Sequence, residues 1–416
     1  MRAEQVDSAR PRRKRTHAHF IGESPECPKP CPIATSDPLR AVSAALALVA
    51  GAAPALAAQR FWRANFYPYV AYSTAGGLWG AVHFGRYSPL GFVERPERNR
   101  ASLGLDAGAS TQGSRGVMVS AEAPAWWEGW RVGLTLTAAR DNRLGYYGLG
   151  NDTRFSRDSV NTAGAYFYRV SRTRLTARAT LQRRVVGPVR LLLGGTLART
   201  DFRALPGPSV FRTDLATGAV DPATLPFTDA VVRAGVVVDT RDNEVDPHRG
   251  AFLQLLFASG DGYTRTTADG RVQVRPIGRL VLAGRLAAEG MGGNPPLAPQ
   301  EEMESSELPF VAVGGYRSLR GFYDGRFTGP GKLIGGVEAR YALRAIGDAM
   351  ELKLVGFYDA GRVFGAGEAV RLTTEGLHGS GGMELALRLL RNSLVVVGYG
   401  HGSEGGQFLF ATSWSY

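Results

Sequence analysis

The chain has 416 residues, 44% of them hydrophobic and 21% charged, with 54 glycines and a formal net charge of +12. Length alone allows two domains, although barrels run long as one; the charge would suit nucleic acid, a membrane surface or anionic lipid, and we read it as solvated loops and a polar interior, with no nucleic-acid partner. Both cysteines, Cys27 and Cys31, precede an apolar run, so a chain cut after that run carries no thiol, and composition excludes a disulfide scaffold or a cysteine metal centre.

Residues 1–38 are polar, basic and rich in proline, with Arg12-Arg13-Lys14-Arg15 among them, and are assigned no function. Residues 41–50 form an apolar core too short to span a bilayer as a helix. Ala55-Leu56-Ala57 follows as a small-residue cleavage site, so 1–58 is read as an N-terminal extension and secretory signal that is removed. The remainder, 59–416, is read as one domain. No apolar run of spanning length follows the cut; alternation does, the weaker signature of a membrane β-barrel, which a soluble sandwich could also show.

The pattern predicts about sixteen strands, an even number that leaves no edge unpaired. The first runs from Pro68 to Gly85, bent at Gly76-Gly77. The next are 100–110 with 113–123, 129–141 with 159–169, 173–184 with 188–200, 229–239 with 249–260, and 263–274 with 277–290. After a long non-periodic segment come 331–343, 350–362, 379–390, 393–401 and 407–416. In the last strand, period two sets Phe408, Phe410, Thr412, Trp414 and Tyr416 toward lipid and Leu409, Ala411, Ser413 and Ser415 toward the lumen. Trp126, Trp127 and Trp130 lie at a hairpin tip and read as an interfacial girdle.

The segment 309–329 organises the chain. A compact domain keeps so long an irregular loop when the loop has a job. Its tip is Leu319-Arg320-Gly321-Phe322. Beyond it lie Gly335-Gly336-Val337-Glu338-Ala339-Arg340-Tyr341 and then Phe357-Tyr358-Asp359-Ala360-Gly361-Arg362-Val363-Phe364. These three stretches, in this order and at this spacing, resemble the BamA/TamA family of outer-membrane assembly barrels, also called bacterial surface antigens. Pro68-Tyr69-Val70-Ala71-Tyr72, Tyr147-Gly148-Leu149-Gly150-Asn151 and Asp239-Thr240-Arg241-Asp242 with Pro247-His248-Arg249-Gly250 are similar to other junctions of that family, and each is also ordinary turn chemistry.

The resemblance implies an all-β transmembrane antiparallel barrel in the bacterial outer membrane, its long extracellular loop folded into the lumen. It implies that Arg320 pairs there with Asp359. Leu319, Gly321, Phe322, Phe357 and Gly361 would support that pair, and Glu338 and Arg340, on one face of a strand, would extend it. It implies that Phe408, Phe410, Trp414 and Tyr416 form the C-terminal signal read by the outer-membrane assembly machinery. Barrel-like sequence begins soon after the cleavage site, so the resemblance is to a member without periplasmic POTRA modules.

The six histidines are scattered, so no metal site or cofactor is expected. Gly400-His401-Gly402-Ser403-Glu404-Gly405 formally matches a dinucleotide loop but opens a strand where such a loop must open a helix. No nucleophile elbow is present, and no enzymatic activity is expected. The resemblance implies insertion or translocation of proteins at the outer membrane, through a weakly paired seam between first and last strands. Gly398, Gly400, Gly402, Gly405 and Gly406 suit such weak pairing, or an ordinary loop. The expected partners are outer-membrane lipid, unfolded outer-membrane or surface protein clients, and a separate periplasmic protein. The alternative is a low-conductance channel or anchor barrel with no assembly activity.

Overall fold

The computed structural model of the chain describes residues 62–73, 77–90, 96–347, 349–389 and 393–416; the N-terminal extension and signal lie outside them. The strands are β1 (Arg63–Ser73), β2 (Gly77–Ser88), β3 (Ala101–Ser110), β4 (Arg115–Trp127), β5 (Trp130–Gly145), β6 (Arg169–Val186), β7 (Val189–Ala204), β8 (Phe227–Asp239), β9 (Gly250–Gly260), β10 (Tyr263–Ile277) and β11 (Leu280–Gly293). Two short strands, β12 (Glu302–Met303) and β13 (Phe310–Val311), pair with each other inside the long connection. The wall resumes with β14 (Gly331–Ile346), β15 (Met350–Phe364), β16 (His378–Leu389), β17 (Ser393–Gly402) and β18 (Gly405–Ala411). Apart from β12 and β13, each strand is hydrogen-bonded to the next in chain order, giving a sixteen-stranded antiparallel sheet. Residues of β1 and β18 approach within 8 Å, with no hydrogen-bonded ladder between them among the described residues.

Alternation sets which side faces what. Along β9 and β10, Phe252, Gln254, Leu256, Arg265, Thr267, Asp269, Arg271 and Gln273 are buried, while Leu253, Leu255, Phe257, Val272 and Val274 are exposed. Large apolar side chains point outward around the wall and charged ones inward. That reverses a soluble core and is what a lipid-facing barrel with a polar lumen requires. Trp127 and Trp130 are exposed at the β4–β5 tip.

The strand count agrees with the sequence reading through two errors that cancel. The first predicted strand is two, β1 and β2, because Gly77 takes φ 71°, which turns the chain back on itself. The predicted strand 159–169 does not exist. Ser156 caps a helix there, Arg157–Ala163, its side-chain oxygen accepting from Asp158 N, and Gly164 ends it. Beyond the helix, Tyr168 packs face to face with Tyr147 and edge-on to Phe167.

The last predicted strand also needs correction. The ladder ends at Ala411, not at Tyr416. Phe408 and Phe410 are exposed on the lipid side and Leu409 is buried, as alternation demands, but Trp414, Ser415 and Tyr416 are buried together. Trp414 and Tyr416 turn into the lumen and are not on the lipid face. The cause is polar: Trp414 Nε1 donates to Asp246 at 3.1 Å, and the Arg340 guanidinium lies 3.9 Å over its ring.

Candidate functional site: the docked lumenal loop

The connection 294–330 folds back between the strands, so this chain's lumen is filled by its own loop. Gly314 and Gly315, at φ 112° and 98°, start its innermost turn. Leu319 and Phe322 are buried in one apolar cluster with Met303, Phe310, Val313, Phe327, Ile334 and Val363. Gly361 makes room for this packing: a Cβ there would lie 2.7 Å from Leu319 Cδ1. Phe322 lies over Gly402, in edge-on contact with Phe327.

Arg320 is fully buried and meets Asp359 through a fork, Nε to Oδ2 at 2.8 Å and Nη2 to Oδ1 at 2.7 Å. Its backbone N–H adds a third bond to Oδ2 at 3.2 Å. The remaining nitrogen, Nη1, donates to Glu338 at 2.7 Å and to Glu384 at 3.3 Å. Glu338 in turn accepts from Arg340 Nε at 2.7 Å. The Phe357 ring lies 3.7 Å beneath the guanidinium, while Tyr358 points to lipid. Such a planar, five-donor group suits arginine and not lysine. Glu384 belongs to this cluster and escaped the sequence reading, because only the register of β16 on β15, with Glu384 opposite Val355, brings it to the Arg320 side chain.

The glycines of β17 have a use other than weak pairing. A Cβ at Gly400 would sit 2.6 Å from the Arg320 carbonyl oxygen, and one at Gly321 2.5 Å from the His401 carbonyl carbon. Backbone meets backbone here, so Gly321→Ala or Gly400→Ala must push the loop tip off the wall. We expect either to lower stability by about 1–3 kcal/mol, the usual cost of overpacking. Unchanged heat-induced unfolding of both would contradict this.

A second set of contacts went unseen in the sequence: the acidic run Glu301, Glu302, Glu304 and Glu307. Each faces an arginine of the wall. Arg172 donates to Glu301 at 2.9 Å, Arg174 is paired with Glu302, and Arg178 donates to Glu304 at 2.6 Å. Arg241 and Arg271 lie 3.7 and 3.6 Å from Glu307. Arg172, Arg174 and Arg178 share the lumenal parity of β6, so the signal was a same-face arginine row awaiting acids. Deeper in, Glu289 accepts from Arg265 at 2.9 Å, Lys332 at 2.6 Å, Thr267 Oγ1 at 2.7 Å and the Glu304 backbone at 2.8 Å.

The loop's outer part is tied to neighbouring loops. Arg326 donates to Glu404 at 2.6 Å and to the Thr153 carbonyl at 2.6 Å. Asn151 donates to the Gly376 carbonyl at 2.9 Å and accepts from Val363 N at 3.0 Å. Asp246, His248 and Glu351 converge as metal ligands could, but Lys353 Nζ lies 2.6 Å from Asp246 and 3.4 Å from Glu351 and supplies the cation. Beneath the loop a cavity of about 710 Å³ is bounded by residues such as Arg98, Glu122, Arg131, Arg190, Glu307 and Arg317.

Burial lifts the Glu301 carboxyl to about 7 from 4.5, with Arg172 opposing. For Glu302 burial is outweighed by Arg174 and Arg172, which hold it at about 2, while Glu307, whose side chain is 43% exposed, is held low by Arg271 and Arg241. Between about pH 4.5 and 7 Glu301 binds a proton in the docked state that it does not bind when released, so docking strengthens as pH falls through that window. Below about 4.5, Glu302 and Glu307 reverse the trend, because the released state then binds more protons. We expect Glu301→Gln to flatten stability against pH between about 5 and 7 and to leave the acid limb intact. A slope in that window equal to wild type would refute this assignment.

A plugged, antiparallel, lipid-facing barrel with an even number of strands is an outer-membrane architecture. Residues 99–402 match the Omp85 superfamily domain, which is more than half of the chain, and the protein belongs to that superfamily. It is a bacterial outer-membrane barrel. Among solved structures it is similar to BamA from Haemophilus ducreyi lacking POTRA domains 1–3, with TM-score 0.52 and 15% identity over 84% of this chain and 69% of that one. It is also similar to CdiB from Escherichia coli, with TM-score 0.53 and 12% identity over 85% of this chain and 60% of that one. At these identities the likeness is one of fold. No curated protein sequence matches the chain.

Proposed function

We propose that this barrel inserts or translocates polypeptides at the outer membrane, with the β1–β18 seam as the opening element and the docked loop as the part that holds the barrel shut. The observation that carries this is the seam. β18 has only seven residues, whereas β6 has eighteen, and a spanning strand needs about 9–11. A short strand that makes no ladder with its neighbour among the described residues is the weakest line in the wall. The Arg320 cluster rests on β14, β15 and β16, with the loop tip against β17, so docking braces the wall adjoining that line. The clients would be unfolded outer-membrane or surface proteins, with a separate periplasmic protein as a further partner. No catalytic step is assigned.

The test is to join β1 to β18 by an engineered disulfide and to quantify the outer-membrane proteome, alongside deletion of the gene. A selective fall in other barrels or surface proteins in both strains, reversed by reductant in the first, is the expected result. An unchanged outer membrane in both would leave a low-conductance channel or anchor as the function.

A further inference from the structure

On the lipid side of the wall, arginines gather at one end of β4–β7. Period two places Arg115 on the outer face of β4 with Val117 and Val119, and Arg140 on that of β5 with Leu134 and Leu136. On β7 it places Arg199 and Arg203 outward with Leu193 and Leu197. All four arginines are exposed. Register brings them together: Arg115 stands directly opposite Arg140, Arg140 opposite Thr173 of β6, and Thr173 opposite Asp201 of β7. Strands about 4.8 Å apart make β4–β7 a patch about 14 Å wide. Asp201 is the one carboxylate on the outer face of these strands among the described residues, and it accepts from Arg203 Nε at 2.7 Å. Arg115, Arg140 and Arg199 have no ion pair among the described residues.

The depth of the patch is that of lipid headgroups. Trp130, with Arg183 over its ring at 4.8 Å, marks the opposite membrane interface. From Trp130 to Arg140 a strand rising about 3.3 Å per residue and tilted about 40° climbs about 25 Å along the membrane normal, the height of a barrel's apolar band. Arg140 and its neighbours therefore stand where hydrocarbon gives way to headgroups. This is the extracellular end: short turns join β4 to β5, β6 to β7 and β10 to β11 at the other one, whereas 146–168, 205–226 and the lumenal loop lie here. The same ends of β8, β9 and β10 expose only hydroxyls, Thr228, Ser259, Thr264 and Thr266. Like charges directly opposite on a sheet weaken it, and Arg115 and Arg140 have no carboxylate between them. An anion seated on them removes that penalty, and planar guanidinium groups take phosphate oxygens through paired hydrogen bonds.

We propose that the outer face of β4–β7, at its extracellular end, binds an outer-leaflet lipid whose headgroup carries two phosphate monoesters. The unpaired arginines call for more negative charge than a single phosphodiester brings, and the patch is wide enough for two phosphates set apart. The acyl chains lie along Leu134, Leu175, Leu193 and Leu197, which are exposed below the arginines. The site is separated from the β1–β18 seam by β2 and β3, and nothing in it depends on what the barrel transports.

The test uses the full chain in neutral detergent micelles and native mass spectrometry, with diphosphoryl lipid A as the probe beside its dephosphorylated form and inorganic phosphate. Wild type should take up lipid A saturably. Arg115→Ser combined with Arg140→Ser should weaken that binding at least tenfold, as should removal of both phosphates from the lipid. Arg183→Ser combined with Arg184→Ser, which takes the same charge from the other end of the wall, should leave it unchanged. Should the first pair not fold, Arg199→Ser replaces it, with at least threefold weakening expected. Equal loss from either pair of substitutions, equal binding of the dephosphorylated lipid, or displacement of lipid A by inorganic phosphate at equal concentration would overturn the proposal. Because binding is read directly, that failure is distinct from an unchanged outer-membrane proteome, which would overturn the assembly reading alone.

Discussion

Arg320→Ala is expected to release the lumenal loop, raising single-channel conductance and lowering stability by about 3–5 kcal/mol, the usual cost of removing one partner of a buried ion cluster. The substitution leaves Asp359, Glu338 and Glu384 facing one another, with Arg340 as the nearest remaining cation, on Glu338. Three buried carboxylates cannot all stay ionised at that spacing, so the wall either takes up protons or opens to water. The Arg320 backbone bond to Asp359 survives the mutation but connects a tip with no side-chain anchor. Arg320→Lys keeps the charge and loses the two-pronged contact, so it should fall between wild type and alanine. Planar-bilayer conductance and heat-induced loss of the folded band measure the two effects. Wild-type values for Arg320→Ala in both would show that the acidic run docks the loop unaided.

Glu289→Ala should be comparably damaging, at about 3–5 kcal/mol, although Glu289 lies on the wall and not on the loop. It takes hydrogen bonds from Arg265, Lys332, Thr267 and the Glu304 backbone. Without it, two cations face each other with Glu304 as the closest carboxylate of the Arg265 side chain, 3.9 Å away. The expected phenotype is a loop loosened along 299–304, with the Arg320 tip still seated. Limited proteolysis would separate the two cases: new cleavage near 299–304 for Glu289→Ala, near 314–326 for Arg320→Ala. Identical cleavage patterns would mean the loop is released as one unit, contrary to this expectation.

Much of the wall was legible because lipid outside and water or charge inside enforce a period of two, which any strand must display in its own sequence. Where that rule was followed past its reach, it failed. Residues 159–169 carry aromatic residues of strand character, but a Ser156 cap and Gly164 stop set a helix, and the rings were wanted by the loop stack. Residues 412–416 alternate like the strand before them, yet Trp414 found Asp246 and Arg340, and charged partners in the lumen outweighed further ladder bonds to β17 on a strand whose other edge has no ladder among the described residues.

The sequence by itself determined the barrel class and the irregular loop with its arginine tip, because those are written in local periodicity and in the break from it, whereas the strand total came out right only because two errors cancelled. Only the tertiary structure decided what holds the loop. Glu384, Glu289 and the acids 301–307 are unremarkable in one dimension. They acquire meaning when the sixteen-stranded sheet brings β6, β10, β15 and β16 around one lumen, since the energy of a buried charge depends on what stands within a few ångströms of it and not on its neighbours along the chain.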